Sequence, residues 1–438
     1  MLTLASFVVV LGIIIFVHES GHFIVAKGFG MRVFIFSFGF GPRLVGIKRG
    51  DTDYRISAIP LGGYVKLEGE PEDHLSQDTS TLGDGKDFTA RPRWQRFLVY
   101  LAGPAMNAVL TVAVMTALFM IGFGEPASLY DQPVIGAVAA GSPAEAAGLR
   151  PGDLILAIDG KPQPNWQTAL YSVALRPSVP VRVRVRRAGE EMEVVVTSGV
   201  TPDKIGTIGV GPLVHIQEVR PDTPAQRAGL QLNDAILKVG DQTIVEVDNV
   251  SPAMQATGGR QTVLQIYRDG RMLEVPVTPA RVDGAFRIGI TVGGRILIRK
   301  YGPAGAFVAA CRWSWEGTRQ VGEVLGRLLT ARLSPKTVAG PLGIAKESGN
   351  AARQGGIAFF RFLAFISLNV GLLNLFPLPP LDGGHLAILA GEGVIRRDFS
   401  STVKAWILNA GAVAILLLVA LVLYSDFSKT SLLGRFLP

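Results

Sequence analysis

Two histidines and a glutamate lie close together near the end of the first apolar stretch, in the sequence HESGH at residues 18–22. On a helix, residues four apart share a face, so the imidazoles of His18 and His22 can both bind one Zn²⁺. Glu19 lies beside them, where its carboxylate can take a proton from an attacking water molecule. The spacing therefore predicts metal-assisted hydrolysis. The alternative is a helix end at the membrane surface, with histidines that face lipid headgroups.

A catalytic zinc usually has three protein ligands, so the two histidines need a partner from elsewhere in the chain. Of the five histidines, His74 and His215 fall in polar stretches, and the remaining candidates lie in NLFPLPPLDGGH at residues 374–385. Its prolines free backbone groups that a membrane tolerates only beside a protein-lined cavity. Asp382 is the expected third ligand, and His385 is the alternative.

Four apolar stretches approach the roughly 20 residues that a bilayer core requires. They predict four transmembrane segments, assigned to residues 1–33, 97–123, 358–391 and 404–424. Lysine and arginine are abundant between the first two segments and recur before the last, so the positive-inside rule places both loops in the cytoplasm. Both termini and the insert from about 124 to 300 then lie on the outer side.

Composition supports this division of the chain. Apolar residues make up 48% of the chain, while the 18% of charged residues concentrate in the middle, as expected for a soluble insert between membrane segments. The net charge of +8 comes without a lysine-rich run, so no nucleic-acid partner is expected. The single cysteine, Cys311, excludes an internal disulfide and is expected to be a small buried hydrophobe.

Two further segments have membrane-facing patterns. Residues 34–96 begin with two alternating runs joined by a polar turn, which predict a β-hairpin near the cytoplasmic side of the membrane, followed by a loop. Residues 303–333 have apolar side chains at helical spacing with arginines between them. They predict an amphipathic helix on the outer membrane surface, with a helix packed on the protein core as the alternative.

The outer insert contains an internal repeat. VIGAVAAGSPAEAAGLRPGDLILAIDGKP at 134–162 matches HIQEVRPDTPAQRAGLQLNDAILKVGDQTI at 215–244. Each copy reads as a strand, a short helix that ends at Ala-Gly-Leu, an aspartate-containing turn and a hairpin. The pattern resembles PDZ domains of the permuted kind attached to bacterial envelope proteases, and it predicts two PDZ-like α+β domains at 127–212 and 213–295. Asn233 replaces Gly152 before the aspartate, so the second turn is expected to differ in shape.

Taken together, HESGH, GPAMN at 103–107, the PDZ-like pair and NLFPLPPLDGG resemble the site-2 protease family, especially its bacterial envelope branch. The resemblance covers essentially the whole chain. It implies that His18, His22 and Asp382 bind zinc and that Glu19 is the general base. It also implies that Asn369 and Asn374 contact the substrate or stabilise the oxyanion, with helix-to-helix bonding by these asparagines as the alternative. Pro380 stands where the family has an aliphatic residue, which removes no catalytic atom.

The same resemblance implies a polytopic protein of the bacterial inner membrane that performs regulated intramembrane proteolysis. Its substrate would be a single-span membrane protein such as an anti-sigma factor already cut by a site-1 protease, or a signal-peptide remnant. The PDZ-like pair would admit only trimmed substrates, and the active site would face the cytoplasmic side. The competing hypothesis is a noncatalytic membrane scaffold that binds partners through its PDZ-like domains.

Overall fold

The computed structural model describes residues 2–69, 85–126, 130–201, 204–268, 271–282, 284–293, 296–330 and 340–429. The chain divides into two compact units. The first consists of Met1–Phe123, Lys300–Gly326 and Val338–Pro438, and the second of Gly124–Arg299 and Arg327–Thr337.

Helices dominate the first unit and strands dominate the second. The helices are α1 (Leu2–Gly28), α2 (Arg93–Ile121), α3 (Pro143–Ala146), α4 (Trp166–Ala174), α5 (Pro224–Arg227), α6 (Val250–Ala256), α7 (Pro303–Leu329), α8 (Pro341–Gln354), α9 (Gly356–Asn374), α10 (Asp382–Ile395) and α11 (Ser401–Lys429). The strands are β1 (Val33–Arg49), β2 (Thr52–Leu67), β3 (Phe123–Pro126), β4 (Ala137–Val138), β5 (Leu154–Ile158), β6 (Lys161–Pro162), β7 (Pro180–Arg187), β8 (Glu190–Thr197), β9 (Gly199–Val200), β10 (Gly206–Thr207), β11 (Val210–Gly211), β12 (Val214–Val219), β13 (Ala235–Val239), β14 (Gln242–Thr243), β15 (Thr262–Arg268), β16 (Arg271–Val277), β17 (Ala280–Val282), β18 (Ala285–Arg287), β19 (Ile290–Gly293) and β20 (Ile296–Arg299).

Within the part of the chain that the structure describes, three helices, α1, α2 and α9, are long and apolar enough to cross a membrane. The predicted span at 404–424 falls in α11, where the apolar run that the structure describes, Thr402–Leu417, is shorter, so a fourth span remains a prediction. The predicted segment 358–391 contains the proline break expected before Asp382: its apolar run corresponds to α9, which ends at Asn374, and α10 begins after the break at Asp382. Prolines at 377, 379 and 380 cannot supply the backbone N–H groups that a continuous helix requires.

The hairpin of β1 and β2 follows α1 directly, and the two strands pair antiparallel from Val33↔Leu67 to Arg49↔Thr52 with several register shifts. A buried ion pair fixes its base, where Arg32 Nη1 lies 2.6 Å from Glu68 Oε2. Farther along, aromatic rings of the hairpin pack on α1, with Phe16 and Phe36 centroids 5.7 Å apart. Apolar side chains at the far end are exposed, among them Leu44 and Ile47. The predicted loop that follows lies partly outside the described residues.

The second unit contains two modules with the same element order. In the first, the sheet order β6-β5-β7-β8 covers a core that includes Trp166, and in the second β16-β15-β13-β12-β19 covers a separate core. Each has a buried aspartate bound by an arginine of a later strand: Arg187 Nε lies 2.7 Å from Asp153 Oδ1, and Arg268 Nε lies 2.6 Å from Asp234 Oδ1. The sequence repeat is therefore a repeat in structure. The predicted starting residues 127–129 and end residues 294–295 lie outside the described residues.

The prediction that the two aspartate turns differ in shape is wrong. Gly152 and Asn233 both have positive φ, at 90° and 70°. Their amides donate equivalent hydrogen bonds, from Gly152 to Ile135 O at 2.8 Å and from Asn233 to Ile216 O at 2.9 Å. Asparagine adopts the left-handed conformation more readily than other residues with a side chain, so it replaces glycine without a change of turn.

Helix α7 packs on the protein through small residues and exposes some of its large apolar side chains. Ala306 and Ala310 are buried against α2 and α9, whereas Phe307 and Trp315 are 54% and 70% exposed. The helix therefore packs on the core through small residues, while the position of its exposed apolar residues on the outer membrane surface stays a prediction. Cys311 belongs to the same stripe and is exposed, so the expectation that it is buried is also wrong. The predicted residues 331–333 at the end of this helix lie outside the described residues.

Candidate active site

Helices α1 and α10 bring three metal-binding side chains together inside the first unit. His18 Nε2 lies 3.1 Å from Asp382 Oδ2, His22 Nε2 lies 3.5 Å from Asp382 Oδ1, and the two Nε2 atoms are 3.2 Å apart. All three side chains are largely buried, and their ligand atoms lie within 4.8 Å of one another. The residues predicted from the first and third apolar segments thus meet at one point.

The hydrogen bonds around His22 fix which of its nitrogens faces this point. Its Nδ1 lies 2.7 Å from the backbone carbonyl of Val99 on α2, which can only accept, so Nδ1 carries the hydrogen and Nε2 presents a lone pair. Asp382 Oδ2 is buried and has no assigned hydrogen bond among the described residues, although His18 Nε2 lies 3.1 Å away. A lone pair and a carboxylate that converge in this way suit a cation. Two nitrogens and one carboxylate oxygen are a ligand set that zinc accepts.

Glu19 lies next to this group on α1 and faces β2 of the hairpin. The backbone N–H of Val65 donates to its carboxylate. A Cβ on Gly63 would lie 3.4 Å from Glu19 Cγ, so the strand backbone passes in contact with the glutamate. Glu19 is thus held between the histidine pair and the hairpin.

Helix α2 approaches the histidines more closely than a side chain would allow. A Cβ on Gly103 would lie 2.3 Å from His22 Nε2 and 2.8 Å from His18 Cε1, and a Cβ on Gly21 would lie 2.3 Å from Ala102 O. Asn107, fully buried on the same helix, has its Nδ2 3.3 Å from His18 Nδ1. The GPAMN segment carries both Gly103 and Asn107. In the sequence it was visible only as part of a family resemblance, without a stated role.

Asn369 and Asn374, the two asparagines of α9 with predicted substrate or oxyanion roles, make different hydrogen bonds. Asn374 Nδ2 lies 3.3 Å from His18 Nε2, so its amide reaches the metal-binding group. The Asn369 amide instead donates to Phe365 O of its own helix at 2.6 Å. Because five residues turn a helix by about 140° beyond a full turn, the two side chains point in different directions. The structure thus places the Asn374 amide at the histidines, whereas the Asn369 amide is bonded to its own helix.

The turn between α9 and α10 is packed tightly against the start of α10. A Cβ on Gly383 would lie 2.3 Å from Leu375 O, and a Cβ on Gly384 would lie 2.3 Å from Pro379 N. The glycine pair therefore lets the turn fold back and places Asp382 in the first turn of α10. His385, the alternative ligand, stacks on Tyr100 with ring centroids 4.6 Å apart. Of the two candidates, the structure brings Asp382 to the histidines.

Comparisons of this chain with known proteins all indicate the same family. The model of peptidase family M50 matches residues 6–418. The chain is 33% identical to the regulator of sigma-E protease RseP of Escherichia coli, over 97% of this chain and 98% of that protein. It is 32% identical to protease RseP of Yersinia pestis, over 98% of both chains. It is 31% identical to the regulator of sigma E protease of Haemophilus influenzae, over 98% of this chain and 99% of that protein. Because these matches extend over nearly the whole chain, the protein belongs to peptidase family M50 and is a metalloprotease of the site-2 type.

Proposed function

We propose that this protein is a zinc-dependent endopeptidase that cuts single-span membrane proteins within the bilayer. The observation that carries the proposal is the convergence of His18, His22 and Asp382 beside Glu19, on helices of which α1 is long and apolar enough to span a membrane. Ionisable residues are costly in such a helix and persist there mainly for function. A noncatalytic scaffold would not need a glutamate next to an open ligand group.

In this proposal, His18 and His22 bind the metal through Nε2, and Asp382 binds it through a carboxylate oxygen. Bound zinc supplies Lewis acidity, which polarises the scissile carbonyl and makes water more acidic. Glu19 takes the proton from the attacking water and later passes it to the leaving amine. The Val99 carbonyl holds the His22 ring in the tautomer that this binding requires.

The amide of Asn374 is proposed to donate a hydrogen bond to the oxygen that becomes negatively charged as water adds. Its Nδ2 already lies 3.3 Å from His18 Nε2, which is within reach of a substrate carbonyl at the metal. Asn369 is proposed only as a substrate contact, since its amide is bonded to its own helix. The family resemblance is the only support for that role.

The hairpin is proposed to hold the opened substrate segment in front of Glu19. Peptide bonds in a helix are shielded, so the substrate must unwind before it can be cut. An extended segment can then pair with an exposed strand edge. The support is the contact of β2 with Glu19 through Gly63 and Val65, together with the exposed apolar residues at the far end of the hairpin.

The substrate class, domain roles and orientation extend the proposal. The modules of the second unit are proposed to be PDZ-like domains at 127–212 and 213–295, on the periplasmic side of the inner membrane, that exclude substrates with bulky outer domains. Four spans would place both termini on that side and the active site toward the cytoplasm. Relatives named as regulators of sigma-E protease support an anti-sigma factor, already cut by a site-1 protease, as substrate. Signal-peptide remnants are a second substrate class.

The test compares wild type with Glu19→Gln in detergent, with bound zinc and cleavage of a single-span substrate measured on the same samples. We expect one zinc per chain in both proteins, and cleavage by wild type alone. Glu347→Gln, an exposed glutamate on α8, is the matched control and should cut normally. Cleavage that persists in Glu19→Gln would rule out Glu19 as the general base. A wild-type protein that binds zinc but cuts none of several substrates would favour the scaffold. A bulky outer domain on the substrate should block cutting if the PDZ-like pair acts as a filter.

A further inference from the structure

A buried hydrogen-bond network joins α1, α2 and α9 behind the ligand group, with Asn107 at its centre. The Asn107 side chain contacts His18 Nδ1, on the side of the ring opposite the ligand group. Its backbone carbonyl accepts hydrogen bonds from Thr111 Oγ1 and Ser367 Oγ, both at 2.9 Å. The side chains of Asn107, Thr111 and Ser367 are all fully buried. Three buried polar residues in one network call for a shared role beyond filling space.

The α9 side of this network lies on one helix face. Ser367, Gly371 and Asn374 are spaced at i, i+4 and i+7, so the three positions lie on nearly the same face of α9. Ser367 bonds the Asn107 carbonyl, a Cβ on Gly371 would lie 3.1 Å from Asn107 Cβ, and Asn374 reaches His18. Asn107 is therefore enclosed by α9 and has a fixed position relative to the His18 ring.

The chemistry of His18 determines which end of the Asn107 amide must face it. A histidine that binds a metal through Nε2 carries its hydrogen on Nδ1, and that hydrogen needs an acceptor. The oxygen and nitrogen of an asparagine amide are interchangeable in position when only heavy atoms are placed. With Nδ2 toward the ring, Asn107 Oδ1 is buried and has no hydrogen-bond partner among the described residues. Rotating the amide by 180° about its Cβ–Cγ bond lets this oxygen accept a hydrogen bond from the Nδ1–H of His18.

We infer that Asn107 is a positioning residue for His18, whose amide oxygen accepts the Nδ1 hydrogen and so presents the Nε2 lone pair to the metal. The inference rests on the proposed zinc site. It assigns to the asparagine of the GPAMN segment the task that the Val99 carbonyl performs for His22. Both ligand histidines are thus oriented from α2, one by a backbone carbonyl and the other by a side chain.

The test is the zinc affinity of the full-length protein in detergent, measured by competition with a chelator in the absence of substrate. Asn107→Leu keeps a similar volume and loses the acceptor, so we expect zinc binding to weaken about 10- to 100-fold. Asn107→Asp keeps an acceptor toward Nδ1, so its affinity should stay near that of wild type. Thr116→Val is the matched control on α2, because the Thr116 hydroxyl donates to Val112 O of its own helix, and its affinity should equal that of wild type.

Two results would overturn the inference: Asn107→Leu that binds zinc as tightly as wild type, or Asn107→Asp that is as weak as Asn107→Leu. The second result would mean that the amide acts through its N–H₂ group. If Asn107→Leu does not fold, judged by the thermal unfolding of the chelator-treated protein, Asn107→Ala replaces it because it adds no atom. Wild type in the same assay separates the two proposals, since absence of zinc there would refute the zinc site itself.

Discussion

Helix α2 passes the ligand group at Gly103 with no room for a side chain, and this makes Gly103→Ala a sharp test. A Cβ at this position would lie 2.3 Å from His22 Nε2, whereas ordinary contacts of a Cβ begin at 3.4 Å. The imidazole or the helix would have to move by about 1 Å, the difference between these two distances. Zinc ligands tolerate about 0.2 Å of deviation, so a displacement of this size should remove His22 as a ligand.

The expected result is loss of zinc affinity by at least about 10-fold and of cleavage by about 10²-fold. The control is Gly393→Ala on α10, where an added Cβ meets nothing within 4 Å. Alanine favours a helix over glycine by roughly 0.5–1 kcal/mol, so this control should bind zinc normally and unfold at an equal or higher temperature. The same alanine change should therefore have opposite consequences at the two positions.

The assay is bound zinc per chain after dialysis against a zinc buffer, followed by cleavage of the single-span substrate with the same preparations. A Gly103→Ala protein that holds one zinc and cuts within a few-fold of wild type would refute the reasoning. That outcome would mean that α2 can move away from the histidines with little loss of zinc affinity or activity. The close approach of α2 would then not be needed to position the histidines.

Further predictions concern the third ligand and the hairpin base. Asp382→Asn should lose zinc binding, while His385→Asn should keep one zinc per chain, and metal analysis that finds the reverse would restore His385 as the ligand. Arg32→Ala breaks the buried 2.6 Å ion pair with Glu68 and should lower the free energy of unfolding by about 3–5 kcal/mol. Arg43→Ala removes a half-exposed ion pair at 3.2 Å and should cost at most about 1 kcal/mol, so equal thermal shifts for the two variants would contradict this explanation.

The convergence of the candidate ligands was largely predictable because strong local rules apply to it. His18 and His22 follow from helical spacing in an apolar stretch, and the proline break singled out the segment with Asp382 and its alternative His385. The roles of Gly103 and Asn107 could not be derived in this way. They depend on contacts between α1 and α2, whose partner residues are more than 80 positions apart, and the sequence alone gives no distance across such a gap.

Other differences come from geometry that a pattern does not encode. Asn369 and Asn374 were grouped by family resemblance, but helical periodicity separates their directions, and a count along the helix could have shown this. The stripe of α7 shows a different limit. Periodicity predicted its apolar face correctly but could not tell whether that face meets protein or lipid, and small residues such as Ala306 proved to form the packed side.

Helix α11 contributes no ligand, yet it touches the turn that carries one. A Cβ on Gly411 would lie 2.1 Å from Pro379 O, so this helix closes one side of the turn before Asp382. During synthesis, α1 and its two histidines leave the ribosome first, and Gly411 follows nearly 400 residues later. The turn before Asp382 therefore has its full packing only when α11 has docked. A chain made only as far as α10 would carry all three residues of the candidate ligand group but would lack the helix that holds this turn in place.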